Sequence, residues 1–284
     1  MNDVVVWSDG QVHAPDALLV TAVDHGITVG DGVFETCGVD RGQAFALTRH
    51  LERLSRSARG LGLAEPDLDL VRRGVAAVLE ALPGAGRVRI TVTGGIGPLG
   101  SDRAPSAQTV LVMAGPGSAV TSARAIRVPW VRNERSAVVG LKTTSYAENV
   151  VAVAAAHAAG ADEAYLANTR GELCEGTGSN IFVERGGELL TPPLSSGCLA
   201  GITRALVLEW AAQAGLPVRE AHPGELPFEV LDESIAGRAP LLLASSVRTV
   251  APVVELDGVA IEPGSLGAEV VAMYHERAAG DLDP

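Results

Sequence analysis

The sequence predicts a mixed α/β (α+β) chain in two domains. Three observations lead there: a leucine repeat of helical period over 47–61, strict apolar alternation over 87–93, and a Gly115-Pro116-Gly117-Ser118 break followed by a second series of short strands and helices. With 284 residues, 47% of them apolar and 20% charged, the chain can bury a substantial core and sits at the upper edge of what one core holds.

In order, Val4 to Trp7, the turn at Asp9-Gly10 and the run Ala17 to Val20 read as a hairpin. Leu47, Leu51, Leu54, Ala58 and Leu61 mark an amphipathic helix ended by Gly60 and Gly62, and a second helix over about 67–82 stops at Pro83-Gly84. Val88, Ile90 and Val92 then alternate with Arg87, Arg89 and Thr91, a half-buried strand with two arginines on its polar face. A strand over Thr109 to Met113 precedes the break. Beyond it come a strand over Ile126 to Trp130, an alanine-rich helix at about 146–159, strands at 163–167, 172–174 and 180–183, a helix at 202–214 and a last helix at 265–279. The expected division is an N-terminal α/β domain over 1–114, a linker over 115–122 and a C-terminal domain over 123–284.

Charge narrows the partners. Against 34 acidic residues stand 22 basic ones, a net charge of −12, and no basic run exceeds Arg72-Arg73, so nucleic acid and anionic membranes are poor partners. No apolar stretch approaches the roughly 18 residues of a membrane span, and Met1-Asn2-Asp3 does not open a signal peptide, so a cytoplasmic protein is expected. Cys37, Cys174 and Cys198 have neither disulfide-framework nor zinc-knuckle spacing, and the six histidines show no metal-ligand pairing, so no metal is expected.

Of the 22 basic residues one, Lys142, is lysine and the rest are arginine. A lone lysine is a candidate for what guanidinium cannot do, attack as a free amine; chance survival in an arginine-rich composition is the alternative. Gly95 to Gly100 formally matches a dinucleotide motif, but Ser101 to Pro105 continue as loop where a helix would have to begin. Gly201-Ile202-Thr203-Arg204 opens a helix whose free N–H groups suit a phosphate, or is simply a helix start. Glu175, among small residues, is either a turn residue or the acidic partner of a heterocyclic nitrogen. An amine for an imine, a carboxylate for a ring nitrogen and a helix N-terminus for a phosphate are together the anchors that pyridoxal 5′-phosphate requires.

The runs Gly30-Asp31-Gly32-Val33-Phe34-Glu35-Thr36, His50-Leu51-Glu52-Arg53-Leu54, Gly140-Leu141-Lys142, Glu175 followed by Asn180-Ile181-Phe182, and Leu199-Ala200-Gly201-Ile202-Thr203-Arg204 resemble class IV (fold-type IV) pyridoxal-phosphate aminotransferases, in order from about residue 24 to 258. That family includes branched-chain and D-amino-acid aminotransferases and 4-amino-4-deoxychorismate lyase. The resemblance implies an N-terminal α/β domain, a C-terminal pseudo-barrel domain carrying the cofactor lysine, and a homodimer. By position it makes Lys142 the lysine bonded to the cofactor and Glu175 the partner of the pyridine nitrogen. Arg53, the backbone of Ile202 and Thr203, and Ser246 would hold the phosphate. Tyr146 would meet the phenolic oxygen, although the corresponding tyrosine of branched-chain enzymes lies one residue further from the lysine.

Within the family, the Arg-x-His carboxylate trap of D-amino-acid enzymes is missing from the loop at 97–102, and the Tyr-x-Arg of branched-chain enzymes is replaced by Arg87-Val88-Arg89. The 30–36 and 142–149 runs most resemble the lyase branch, whose substrate carries two carboxylates. Thr36, Arg87, Arg89 and Arg248 are its candidate substrate contacts. The leading expectation is therefore a lyase giving 4-aminobenzoate and pyruvate, a step in making a folate precursor. An aminotransferase of the branched-chain or D-amino-acid type comes second, and a cofactor-binding protein without activity a distant third.

Overall fold

A computed structural model describes residues 3–117 and 119–284. It divides into two compact units, the first comprising Met1–Ser118, Leu141–Tyr146 and Leu282–Pro284, the second Ala119–Gly140 and Ala147–Asp281. Ser118, inside the expected linker, and Met1 and Asn2 lie outside the described residues.

The first unit contains β1 (Val5–Ser8), β2 (Gln11–His13), α1 (His25–Thr28), β3 (Gly32–Asp40), β4 (Gln43–Ala44), α2 (Leu47–Leu61), α3 (Leu68–Ala81), β5 (Arg87–Thr93) and β6 (Thr109–Gly115). Its strands form one sheet in the order β2-β1-β6-β5-β3-β4. Leu51, Leu54 and Ala58 of α2 and Val71, Val75 and Val78 of α3 pack with Val33, Val88, Ile90, Val92 and Val112 of the sheet. Each fully buried leucine there stabilises the unit by about 1.5–3 kcal/mol. The helices end as their sequences dictate: Asp67 caps α3 by accepting from Leu70 N, and Gly62 terminates α2 in the left-handed region at φ 79°.

Two sequence expectations change here. The hairpin partner of β1 is Gln11–His13, and Ala17 to Val20 forms no strand; Leu18 is fully exposed, so its run was apolar without being buried. The segment carrying Lys142, expected in the C-terminal domain, packs with the first unit instead. In this order β3 pairs with β4 only at Val39 and Asp40, so its first half would be an open edge. That edge is closed by the lysine segment, with Phe34 N donating to Lys142 O at 3.0 Å and Thr144 N to Gly32 O at 2.8 Å. Main-chain donors and acceptors of a sheet edge need partners, and 141–146 supplies them.

The second unit contains β7 (Ala123–Arg132), α4 (Ala147–Ala158), β8 (Glu163–Asn168), β9 (Leu173–Gly176), β10 (Asn180–Arg185), β11 (Glu188–Thr191), α5 (Ile202–Ala214), β12 (Val218–Glu220), α6 (Val230–Ile235), β13 (Leu241–Ser245), β14 (Thr249–Leu256), β15 (Val259–Ala260) and α7 (Ser265–Gly280). The sheet runs β12-β11-β10-β13-β14-β7-β8-β9, with β15 beside β14 and parallel pairs at β7–β8, β14–β7 and β11–β12. Tyr165, Ile181, Val183, Leu241 and Val253 pack with Val230 and Leu231 of α6 in one core, while Ala152 and Ala156 of α4 pack with Val128, Ala164 and Leu166 in another. Small residues on α4 bring that helix close to the sheet. Among the described residues, no helix is long and apolar enough to cross a membrane.

One close approach gives a test of the first unit. A Cβ at Gly86 would stand 1.9 Å from the main-chain oxygen of Gly117, while Gly86 itself bonds Val39 N and Gly115 O. Backbone cannot move aside as a side-chain tip can, so Gly86→Ala is expected to cost at least about 1–3 kcal/mol. A urea midpoint equal to that of the parent chain would show that the approach is looser than described.

Candidate active site

In the first unit, β3 and β5 pair in a register that sets Thr36 opposite Arg89 and Phe34 opposite Thr91. Side chains alternate across a sheet. Val33 and Cys37 enter the core under α2 and α3, so Phe34 and Thr36 share the other face with Arg87 and Arg89. The lysine segment brings Lys142 to that face, with Nζ 4.4 Å from the centre of the Phe34 ring and 5.5 Å from that of Tyr146. Phe34 and Tyr146 meet edge to face at 5.0 Å, and the Arg89 guanidinium stands 3.9 Å over Phe34. A primary amine and a guanidinium thus share one aromatic platform. Burial holds Arg89 below the usual arginine pKa, and among the described residues no carboxylate pairs with it.

On the helix side of β3 sits Glu35, fully buried. It accepts from Arg53 Nε and Nη2, both at 2.7 Å, and from His50 Nδ1 at 2.7 Å. His50 and Arg53 are three residues apart on α2 and so lie on one side of it. Burial pushes the Glu35 carboxyl up, but Arg53 and His50 outweigh it and hold the group well below the usual carboxylate range. Burial also lowers His50, against the pull of Glu35, so the imidazole is neutral with its proton on Nδ1 facing the carboxylate.

The second unit places Glu175 on β9, where Oε2 accepts from Leu199 N at 2.8 Å and Oε1 lies 3.2 Å from Arg132 Nε. Arg132 also bonds Asn149, whose amide donates to Thr177 O. Leu199 O is held by Asn180 Nδ2 at 2.9 Å. The loop that fixes Glu175 therefore leads within three residues to the start of α5. There Gly201 is the N-cap, no side chain caps the helix, and a Cβ on Gly201 would stand 1.9 Å from Asn180 Oδ1. An uncapped helix start lined by glycine, with backbone N–H groups to offer, is the chemistry that a phosphate monoester fits. The Thr203 hydroxyl bonds Tyr274, which leaves the Thr203 main chain for that role. Ser246 lies in the turn between β13 and β14, where Arg248 N donates to Ser245 Oγ.

The family model for class IV amino-transferases matches residues 32–256. The chain belongs to that family. It is 34% identical over 268 residues to a Methanocaldococcus jannaschii protein provisionally named a branched-chain-amino-acid aminotransferase, with 91% of this chain and 89% of the relative covered. It is 31% identical over 241 residues to a bifunctional aminodeoxychorismate lyase/D-amino acid transaminase of Mycobacterium tuberculosis, covering 75% of this chain and 79% of the relative. A pyridoxal-phosphate-bound structure of a hypothetical aminotransferase from Mycobacterium tuberculosis superposes with a TM-score of 0.82 at 27% identity, covering 98% of each chain. This member of the class IV amino-transferase family has the fold-type IV architecture, and its cofactor is pyridoxal 5′-phosphate.

The structure brings Lys142, Tyr146, Thr36 and Arg89 to one face, with Arg87 at the exposed start of the same strand. It does not leave Arg248 to a substrate. Arg248 Nη2 bonds Glu163, a fully buried carboxylate that also accepts from Thr177 N and from Ser179 Oγ at 2.7 Å. Burial pushes Glu163 up, but Arg248, Thr177 and Ser179 prevail and hold it below the usual range. Sequence reasoning gave no role to Glu35, His50, Arg132, Asn180 or Glu163. A signal existed for Glu35: it occupies a core position between Val33 and Cys37, and a buried carboxylate requires cationic partners.

Two expected outcomes follow. Gly201→Ala must displace Asn180, and with it the loop holding Glu175, so the Kd for pyridoxal phosphate should rise about tenfold or more for strain of roughly 1–3 kcal/mol; an unchanged titration would remove Gly201 from the site. The second concerns pH. His50 and Glu35 both have folded pKa values below their unfolded ones, so their contribution to stability is full above about pH 6.5 for His50 and about pH 4.3 for Glu35. It is lost as the pH falls, because the unfolded chain takes up protons first. His50→Asn should flatten the decline in urea-melt stability just below pH 6.5, and a slope equal to that of the parent would refute the neutral buried imidazole.

Proposed function

We propose that the chain is an aminotransferase of carboxylate-bearing amines, amino acids of the branched-chain or D type being the class its relatives suggest. The observation that carries this is Arg89, partly buried and without a carboxylate partner among the described residues, on the same Phe34 ring as Lys142 Nζ. A substrate carboxylate at Arg89 makes a charge-assisted bond and delivers its amine and Cα toward Lys142. When bound, pyridoxal phosphate supplies an electrophilic carbon for that amine and a conjugated ring that accepts electron density. Lys142 Nζ takes the proton from the substrate Cα and later returns one. Glu175, which accepts from Leu199 N and lies 3.2 Å from Arg132 Nε, would hold a proton on the ring nitrogen. Arg53, the main chain of Ile202 and Thr203, and Ser246 are the residues that would hold the phosphate, and Tyr146 would meet the phenolic oxygen. A cytoplasmic homodimer belongs to the same proposal, and the exposed Val150 and Val151 on α4 support an apolar partner face.

Aminodeoxychorismate cleavage, which led from sequence, becomes the second reading. It keeps one observation in its favour, that Arg87 and Arg89 share a face and could meet two carboxylates. It loses Arg248, already paired with Glu163. The names of the sequence relatives described above also lean toward amino transfer, and in the Mycobacterium tuberculosis relative the lyase activity stands beside a transaminase activity.

The deciding experiment gives the holoenzyme a panel of L- and D-amino acids with 2-oxoglutarate, and aminodeoxychorismate in parallel, and measures keto acid and 4-aminobenzoate. Keto acid is expected. Arg89→Met should lower its kcat/KM by roughly 10- to 150-fold, the worth of a bond of about 1.5–3 kcal/mol to a charged group, with cofactor content unchanged. Formation of 4-aminobenzoate without amino transfer would install the lyase reading in its place.

A further inference from the structure

The helix that carries His50 and Arg53 begins without a cap of its own. Ala46, at the N-cap position of α2, is in the left-handed region at φ 52° and ψ 37°, offers no side-chain acceptor, and is followed by a first turn without an acidic residue. Helix starts in this condition leave N–H groups and a positive dipole end unanswered. Here residues nearly the whole sequence away answer them. Leu282 O accepts from Ala46 N at 2.7 Å, Asp283 Oδ1 from Thr48 N at 2.8 Å and Asp283 Oδ2 from Thr48 Oγ1 at 2.6 Å. Arg49 Nε donates to the main-chain oxygen of Pro284 at 2.7 Å, and Arg72 Nη2 of α3 completes the cluster at Thr48 Oγ1, 3.0 Å away.

The other end of α2 is held as firmly, by a charge of the opposite sign. Arg103 donates to the terminal carbonyls of Leu61 at 2.8 Å and Gly62 at 2.9 Å. The helix is thus an element fixed at both ends by side chains that oppose its dipole. Between the two fixings, two residues after Thr48 comes His50, which holds Glu35, and Glu35 grips Arg53 by two bonds.

We propose that Asp283 is a positioning residue for the cofactor phosphate, acting as a detached N-cap that keeps the first turn of α2 formed and so keeps Arg53 in place. This rests on the reading that Arg53 binds that phosphate. Without Asp283, Thr48 N loses its acceptor, the turn at 47–50 frays, His50 leaves Glu35, and the Glu35 carboxylate and Arg53 guanidinium re-orient together. Arg103 still holds the far end, so the disturbance stays in the first half of the helix.

The test uses the full chain, stripped of cofactor and titrated with pyridoxal phosphate, in four forms: parent, Asp283→Ala, Asp283→Asn and Arg53→Met. Asp283→Ala should raise the Kd by about three- to tenfold, within the range that loss of an N-cap allows. It should also shift or broaden the ³¹P resonance of the bound phosphate and speed amide exchange at 48–51 while leaving 61–63 as in the parent. Asparagine is an equally good N-cap acceptor, so Asp283→Asn should restore all three. A purely structural tail would change exchange without moving Kd or the ³¹P signal. If Arg53→Met weakens binding while Asp283→Ala leaves Kd and the resonance unchanged, the positioning role is overturned. If Arg53→Met itself leaves Kd unchanged, the phosphate assignment of Arg53 fails, and the positioning role fails with it.

Discussion

A carboxylate buried without solvent sets the order of the first unit. Glu35 has no exposure, and an isolated charge in that position would cost several kcal/mol, so it must either become protonated or find partners. It finds Arg53 and His50, and their presence decides much else. The pair neutralises itself, which lets α2 pack directly on the sheet with Leu51 and Leu54 in the core of the first unit. It also removes the rotational freedom of a long arginine. A guanidinium held through Nε and Nη2 is fixed in one plane.

The same strand serves the opposite face. Because β3 alternates, Glu35 toward α2 requires Phe34 and Thr36 away from it, and the segment that closes the strand's edge must then present Lys142 beside Phe34. One nine-residue strand therefore positions the Arg53 guanidinium on one side and the Lys142 amine on the other. In the second unit a single loop does comparable service, since Leu199 holds Glu175 two residues before the helix start at Gly201.

What was legible in the sequence follows from this arrangement. The periodic elements were plain: α2, α3, β5 and α5 lie within a residue or so of their expected limits, because one face of each is apolar and nothing interrupts it. Lys142 stands out in the sequence by scarcity, and Glu175 by its small neighbours. β3 was not read as a strand, because the buried charge of Glu35 and a Phe34 buried on the opposite face break the alternation that marks a half-buried strand. The hairpin partner was misplaced because Leu18 is apolar yet fully exposed. Arg248 was assigned to substrate because a cation at the end of a strand looks alike whether it meets a ligand or Glu163, and the carboxylate that claims it lies 85 residues away in the chain. Local pattern reveals what a residue can pair with, while long-range topology decides what it does pair with.

The arginines make the point quantitatively useful. In this lysine-poor chain, those near the candidate site are nearly all committed: Arg53 to Glu35, Arg103 to Asp31, Arg132 to Glu175 and Arg248 to Glu163. Each such pair fixes geometry, and Arg103, Arg132 and Arg248 are thereby lost to ligand recognition as free cations. Arg89 differs in having an aromatic face in place of a carboxylate. Cation–π contact contributes only about 0.5–2 kcal/mol, less than full pairing, so a half-buried guanidinium in that state gains more from an arriving anion than any paired one could. Among the described residues Arg89 is therefore the arginine of this face left to an aromatic ring, and on the proposed reading it is the one a substrate carboxylate would meet.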